Sequence, residues 1–287
     1  MSGALIVNPF ASGVSEERLA TVEAALPRPL EVVATRGPGH AAEIARELDG
    51  AVDAIYVFSG DGTYNEVLNG VSGTGSVLGF VPGGGTSVLP RALGLPRDPA
   101  RAASRLALGR PRRIGLGRAN GRRFGFNAGI GLDAELVRRV DALGRAGDGR
   151  RPGDTAFARE AVRLLAAHRF RLEPTLELVG LGRAAFAFVA NCCPYTYAGP
   201  LGLRFAPGAA FDGGLDVFAP PQVGPLAIPA VAWWALGHGR RHVRGHDLAR
   251  LEVVCDAPTA LQLDGEDLGD VAGCLLESEP DAVTVLV

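Results

Sequence analysis

Apolar and polar positions alternate through the first 122 residues in short blocks that read as strand, loop and helix in repetition. Residues 4–8, 30–34, 54–58 and 76–81 are β-branched or continuously apolar runs of strand length. Residues 15–25, 39–48, 65–69 and 99–108 carry helical spacing. Strands alternating with short helices predict a parallel sheet covered on both faces. Beyond residue 123 the rhythm changes: β-type stretches at 124–127, 171–179, 184–191, 215–218, 251–255, 259–263 and 283–287 surround one helical segment, 155–167. That spacing predicts an antiparallel sandwich. The expected fold class is therefore α/β. A parallel-sheet domain covers 1–122 and a β-rich sandwich domain covers 123–282, with the last strand near 283–287 a candidate to return to the first. Residues 141–154, charged and glycine-rich, read as a loop.

Three glycine-rich turns end strands of the first half, on the side where open α/β sheets bind ligands. Asn8-Pro9-x-x-Ser12-Gly13 offers side-chain and backbone donors to a phosphate or ribose, although the same residues make ordinary turns. Ser59-Gly60-Asp61-Gly62-Thr63 lies between an apolar strand and a helix, where glycines permit close backbone approach and a helix start offers amides to an anion. Asp61 has three candidate duties: binding Mg²⁺ directly or through water, orienting an attacking hydroxyl, or capping the helix. Pro82-Gly83-Gly84-Gly85-Thr86-Ser87 exposes successive amides plus two hydroxyls, a nest suited to a di- or triphosphate. No lysine follows the glycines, so neither turn is a Walker A loop. An aspartate among anion-binding amides would repel a phosphate unless a cation or a proton sat between them, which suggests phosphoryl transfer.

Composition narrows the class. The chain has 287 residues, 47% of them apolar, enough for a substantial core. A net charge of −2 gives no global basic field of the kind a nucleic-acid binder carries. Cys192, Cys193, Cys255 and Cys274 form no C-x-x-C, so buried thiols in a reducing compartment are the reading, not a zinc site or disulfide framework. No basic and apolar leader opens the chain, and the apolar stretch 223–236 is too short to span a membrane. A cytoplasmic protein is expected, with peripheral membrane contact left open. His238, His242 and His246 lie four apart beside Arg240, Arg241 and Arg244; a solvated surface is the plainer reading and contact with anionic lipid or a phosphate the alternative. Asp264-Gly265-Glu266 has the composition of a hairpin turn, from which Glu266 could nevertheless project into a cleft. Asp212, in Phe211-Asp212-Gly213-Gly214, could hold a structural cation with a nearby backbone carbonyl.

Taken in order, these motifs resemble the diacylglycerol kinase catalytic-domain superfamily, in its bacterial diacylglycerol- and sphingosine-type lipid kinase branch, distantly related to NAD kinases. The resemblance is carried by Asn8-Pro9-x-x-Ser12-Gly13, Thr35-x-x-x-Gly39-His40-Ala41, Ser59-Gly60-Asp61-Gly62-Thr63-x-Asn65-Glu66-Val67-x-Asn69-Gly70 and Pro82-Gly83-Gly84-Gly85. It continues through Arg91-Ala92-Leu93-Gly94-Leu95-Pro96, Gly129-x-Gly131-x-Asp133-Ala134, Asp212-Gly213-Gly214-Leu215-Asp216-Val217 and Asp264-Gly265-Glu266. It implies an α/β nucleotide-binding domain and a β-rich lipid-binding domain. It places Asn8, Ser12, Thr35, Ser59, Gly60, Gly62, Thr63, Gly83, Gly84 and Gly85 around ATP, with the Thr86 hydroxyl beside them. Asp61 would organise Mg²⁺, Glu66 would support the site, and Glu266 would be the general base. Asp212 and the Gly214 carbonyl match a structural Mg²⁺ position.

The implied activity is transfer of ATP's γ-phosphoryl group to a lipid hydroxyl, of diacylglycerol or a sphingoid base, at a membrane surface. No nucleic acid and no transmembrane segment are implied, and a homodimer is left open. The rivals are a catalytically silent nucleotide- or lipid-binding homologue and an NAD kinase-like enzyme. Against the family pattern, Gly85 stands where threonine is usual, Ser87 where asparagine is usual, and Pro90 where alanine is usual; Gly115 replaces a common aspartate.

Overall fold

The computed structural model describes residues 2–144, 152–225, 228–238 and 243–287. The expected loop at 141–154 falls largely on residues 145–151, outside the described residues, as do Arg240, Arg241 and His242. The chain forms an α/β fold of mixed parallel and antiparallel strands with helices, divided into two compact units: residues 1–115 with 281–287, and residues 116–280. Among the described residues no helix is long and apolar enough to cross a membrane.

In the first unit β1 (Gly3–Val7), β2 (Leu30–Ala34), β3 (Ala54–Ser59) and β4 (Val77–Pro82) pair in parallel, in the order β4-β3-β1-β2. Every residue of β3 is buried, as a strand with neighbours on both edges and cover on both faces must be. At the edge, β2 leaves Val32 39% exposed. Helix α1 (Glu16–Ala25) starts where Ser15 accepts a hydrogen bond from the Arg18 amide, and α2 (His40–Leu48) turns Ala41, Ile44 and Ala45 inward. Helix α3 (Asp61–Gly70) begins four residues earlier than its apolar pattern indicates. A short α4 (Val88–Ala92) follows, and α5 (Pro99–Ala107) is capped by Asp98 with Pro99 at its first position. The chain returns at its end, where Val285 pairs in parallel with Leu78.

In the second unit β7 (Asn127–Ile130), wholly buried, lies between β10 (Ala187–Ala190) and β15 (Arg250–Leu263), antiparallel to both. Beyond β10 come β13 (Leu215–Phe218) and β14 (Val243–Leu248); beyond β15 comes β16 (Glu266–Leu286). The two stretches expected at 251–255 and 259–263 are one strand, with a register shift between Val254 and Thr259 around Pro258. Of the expected strand 171–179 only Leu176–Leu178 is a strand, with Leu172 in an isolated antiparallel bridge to Val223; Arg169 and Phe170 turn with positive φ just before it and Pro174 interrupts the run. Helix α6 (Leu132–Ala142) was not legible from its pattern: it buries Ala134, Val137 and Val140 at helical spacing, but its narrow stripe is broken by Arg138 and Arg139.

An ion-pair cluster pins the end of β16 within this unit. Arg123 grips Glu279 through both carboxylate oxygens, at 2.9 Å from Nε and 2.7 Å from the terminal nitrogen, and Arg118 Nε adds a third bond at 2.7 Å. Burial works to raise the Glu279 pKa, but the two guanidiniums prevail and hold it at about 2 against an ordinary 4.5. A depressed carboxylate pKa contributes stability that is present above 4.5 and lost as pH falls towards 2. The melting-temperature gap between wild type and Glu279→Gln should therefore be widest above pH 4.5 and close as pH approaches 2, measured by thermal melts across that range.

Candidate functional site

The parallel register of the first unit gathers the strand ends. Val7 lies opposite both Phe58 and Ala34, and Ser59 opposite Pro82, so Asn8, Thr35, Gly60 and Gly83 all leave the sheet along one edge. Gly83 donates its amide to the Ser59 carbonyl at 2.6 Å, and Gly13 donates to the Gly83 carbonyl at 2.8 Å. The loop carrying Ser12 is thereby tied to the third glycine turn. The hydroxyls converge too: Asn8 Nδ2 donates to Thr63 Oγ1 at 3.2 Å, and Ser59 Oγ donates to the same oxygen at 2.8 Å. Beneath them the buried Tyr64 hydroxyl sits 2.5 Å from the Ser59 carbonyl and 2.7 Å from that of Val81. Burial first, and Asp61 second, push the Tyr64 pKa well up, so it stays a donor.

Glycine is required where these turns touch. A Cβ on Gly84 would stand 2.7 Å from the Gly60 Cα, and one on Gly83 would stand 2.9 Å from the Ser59 carbonyl oxygen. At Gly62 and Gly85 nothing lies within 4 Å of a built Cβ, so the backbone there faces open space. Gly60 is the N-cap of α3 and provides no side-chain bond to the helix amides. Asp61 is thus the first helical residue, not the cap, and its Oδ1 accepts from the Leu89 amide at 3.3 Å. Glu66 points elsewhere: its Oε2 accepts from the Ala41 amide at 3.1 Å, capping α2, whose own N-cap is Gly39 at φ 83°. Thr35 is buried at the end of β2, Ser12 is exposed, and the Thr86 carbonyl accepts from Arg91.

In the second unit Asp264 and Gly265 take positive φ, making the tight turn between β15 and β16 that Asp-Gly favours. Asp264 is buried, and its carboxylate accepts from the amides of Gly125 at 2.6 Å, Phe126 at 2.9 Å and Asn127 at 3.1 Å. Glu266, the first residue of β16, accepts from Arg122 through Oε2 at 2.7 Å. A polar network lies behind that turn. Asp133 Oδ2 accepts from the Tyr195 hydroxyl at 2.7 Å and from Gln262 Nε2 at 2.6 Å, while Gln262 also donates to Asn127 Oδ1 at 3.0 Å. Burial raises the Asp133 pKa against the two donors that lower it. Sequence reasoning placed Asp133 only within a motif and missed Tyr195 and Gln262, which have no motif to mark them.

Donors and space decide what the first unit can hold. An uncapped helix start, backbone facing open space and clustered hydroxyls fit an anionic phosphate chain. Asp61 is a single carboxylate, and Mg²⁺ shared with phosphate oxygens needs no more. Near Asp212 the Gly214 amide donates to Asp247 Oδ1 at 2.6 Å, a bond that does not involve the Gly214 carbonyl expected as a ligand. Among the described residues no three His, Cys, Asp or Glu side chains are gathered as a metal site.

A family model, diacylglycerol kinase catalytic domain, matches residues 2–119. Residues 2–119 belong to that family. A diacylglycerol kinase of Bacillus subtilis is 42% identical over 91 residues, 31% of this chain and 30% of that protein. One from Staphylococcus saprophyticus is 37% identical over 84 residues, 29% of this chain and 28% of that protein. The matched stretches span less than a third of these relatives' own length. A crystal structure of a diacylglycerol kinase from Bacillus anthracis superposes with a TM-score of 0.73 at 22% identity, covering 99% of this chain and 96% of that one. That likeness is one of fold.

The turn geometry makes a contrast between neighbouring glycines testable. Gly84→Ala should cost about 1–3 kcal/mol in urea unfolding, as overpacking does, and Gly85→Ala should fall within about 0.5 kcal/mol of wild type. Equal effects at the two positions would mean that the Gly60 and Gly84 turns do not touch.

Proposed function

We propose that the chain is an ATP-dependent lipid kinase, which transfers the γ-phosphoryl group to a hydroxyl of a lipid such as diacylglycerol or a sphingoid base. The observation that carries this reading is the meeting of three glycine-rich turns at one sheet edge, around an uncapped helix start that bears Asp61. The parallel-sheet unit is read as the nucleotide-binding part and the antiparallel unit as the lipid-binding part, the chain working as a cytoplasmic protein peripheral to a membrane. The similarity to diacylglycerol kinases of Bacillus subtilis and Staphylococcus saprophyticus supports the same reading.

In this reading the amides of the second and third glycine turns hold phosphate oxygens, and Asn8, Ser12, Thr35, Ser59 and Thr63 supply polar contacts around the nucleotide. Bound Mg²⁺, held by Asp61 together with phosphate oxygens, would offset charge on the transferring group. Glu66 acts through α2, fixing the helix that follows Thr35. Glu266 accepts the acceptor hydroxyl's proton, and its bond to Arg122 fixes the carboxylate's direction. Asp212 and the Gly214 carbonyl are kept as a candidate structural Mg²⁺ position through which no step runs. The Glu266–Arg122 pair also favours a second reading, binding of nucleotide and lipid without turnover, since Arg122 already takes one of the two carboxylate oxygens.

Purified protein, Mg²⁺ and γ-labelled ATP should be incubated with diacylglycerol, sphingosine and NAD in parallel. Wild type is expected to label a lipid, and Asp61→Asn and Glu266→Gln to lose about a hundredfold or more of that rate while the glycine turns still bind ATP. Labelled NAD in place of lipid would move the chain to the NAD kinase-like class. ATP binding with no labelled acceptor would leave the silent reading standing.

A further inference from the structure

The third glycine turn holds two kinds of hydrogen bond. Its frame is short: the Gly83 amide donates to the Ser59 carbonyl at 2.6 Å, and the Tyr64 hydroxyl sits 2.5 Å from that carbonyl and 2.7 Å from the Val81 carbonyl. A second set, at Ser87 and the start of α4, is long. Gly84 donates its amide to Ser87 Oγ at 3.2 Å, Ser87 Oγ returns towards the Gly84 carbonyl at 3.4 Å, and the Leu89 amide donates to Asp61 Oδ1 at 3.3 Å. Such bonds cluster at about 2.9–3.0 Å, so the second set lies at the weak end. Ser87 is the N-cap of α4, yet its side chain makes no bond to its own helix, and its backbone stands at φ 49°, ψ 60° where a cap is ordinarily extended. An N-cap hydroxyl ordinarily accepts from the amide of the second or third helical residue. In α4 the third is Pro90, which has no amide, and the second is Leu89, whose amide Asp61 holds.

We propose that Ser87 is a positioning residue, which exchanges hydrogen-bond partners when a phosphate chain enters the turn. Gly84, unlike the buried Gly83, is partly exposed. A phosphate oxygen is a charged acceptor and bonds an amide more strongly than a hydroxyl does, so it takes the Gly84 amide from Ser87. The Asp61 carboxylate, turned towards the cation it shares with that phosphate, leaves the Leu89 amide. The two groups left over are a hydroxyl and the amide two residues further on, which are the acceptor and donor of an ordinary N-cap. They pair with each other, and Ser87 passes from left-handed to extended backbone as they do. No polar group is stranded at either end of the exchange. That matters here, because Ser87 is 3% and Leu89 1% exposed, and a buried amide without an acceptor is costly. Ser87 touches neither nucleotide nor acceptor; it acts through Gly84 and Asp61. The inference rests on the reading of this turn as part of a nucleotide cradle, and it names the bond that must break before Asp61 can turn.

Nuclear magnetic resonance of isotope-labelled protein reads the amides one by one. Adding Mg²⁺ and ADP to wild type should move both the Gly84 and the Leu89 amide resonances. Ser87→Gly removes the hydroxyl and suits this backbone, so the variant should fold, as its melting curve will show. In it only the Gly84 resonance should move, because the Leu89 amide then has no other acceptor and keeps Asp61. Calorimetry supplies a second readout. Mg²⁺ should tighten ADP binding to wild type; Ser87→Gly should lose that gain while its metal-free ADP affinity stays within about twofold of wild type. Its rate of lipid labelling at saturating ATP should fall by about tenfold or more. Ser87→Asn, whose side chain caps helices and tolerates left-handed backbone, should restore both the Leu89 shift and the Mg²⁺ gain. A Leu89 resonance unmoved in wild type, the same Leu89 shift in Ser87→Gly, or an Asn variant that behaves as the Gly one would each overturn the proposal. So would ADP affinities lowered equally with and without Mg²⁺ in Ser87→Gly, the result a merely structural hydroxyl gives. No ADP binding by wild type overturns it together with the nucleotide reading. Labelled lipid with an unmoved Leu89 amide defeats this inference alone, and both amides moving with no labelled acceptor defeats the kinase reading alone.

Discussion

The first unit depends on how closely two strand ends can approach. The bond from the Gly83 amide to the Ser59 carbonyl extends the β3–β4 ladder one step past the sheet, and the Tyr64 hydroxyl reaches carbonyls of both strands from below. With the strands held there, the turns at Gly60 and Gly84 come so near that no side chain fits between them. Close approach leaves backbone as the only chemistry available at the contact, and backbone amides at a helix start are donors without counter-charge. Glycine content and a helix start that presents backbone donors are thus consequences of one spacing. Tyr64 can serve as the prop because burial keeps it protonated.

Much of this was legible in the sequence for the same reason. A fully buried strand reads as an unbroken apolar run, and a backbone contact reads as glycine; both signals are local. Residues 30–34 and 215–218 match their strands to the residue. What escaped is non-local. Nothing near Glu66 indicates that it caps a helix 25 positions earlier, and nothing near Asp61 indicates the Leu89 amide 28 positions later. Asp264 is the clearest case. As part of Asp-Gly it announces a turn, but its three bonds to amides of residues 125–127 arise only because β7 pairs with β15. Its neighbour Glu266, the residue the sequence singled out, projects instead towards Arg122.

The second unit uses its buried polar groups differently. Asp264 spends both oxygens on backbone amides, which fixes the hairpin end against the start of β7. Asp133 gathers side-chain donors, Tyr195 and Gln262, and Gln262 also closes the turn by accepting from the Gly265 amide at 2.8 Å. The two networks therefore meet at one turn. A polar group this deep is costly unless satisfied, and the pairing of Asn127 with both Gln262 and the Tyr195 carbonyl makes the satisfaction mutual. Orientation of the hairpin that carries Glu266 follows from these contacts, not from Glu266 itself.

The departures from the family pattern can now be weighed physically. Ser87 adopts φ 49°, a region that usually favours glycine or asparagine, yet its hydroxyl accepts from the Gly84 amide at 3.2 Å and returns towards the Gly84 carbonyl at 3.4 Å. The side chain closes the glycine turn on itself, which offsets the cost of the backbone conformation. Gly85, in the usual threonine position, has open space around it, so the loss there is of a hydroxyl and not of a fold constraint. Pro90 is the third residue of α4, where the amide it lacks would have had no partner within the helix. One of the remaining amides of that first turn, Leu89, is taken by Asp61. The altered segment thus keeps the geometry of the turn and ties it to the carboxylate beside it. What it gives up, against the family pattern, is the threonine hydroxyl at position 85 and the asparagine amide at position 87, and in the proposed reading that loss bears on how tightly a nucleotide would be held.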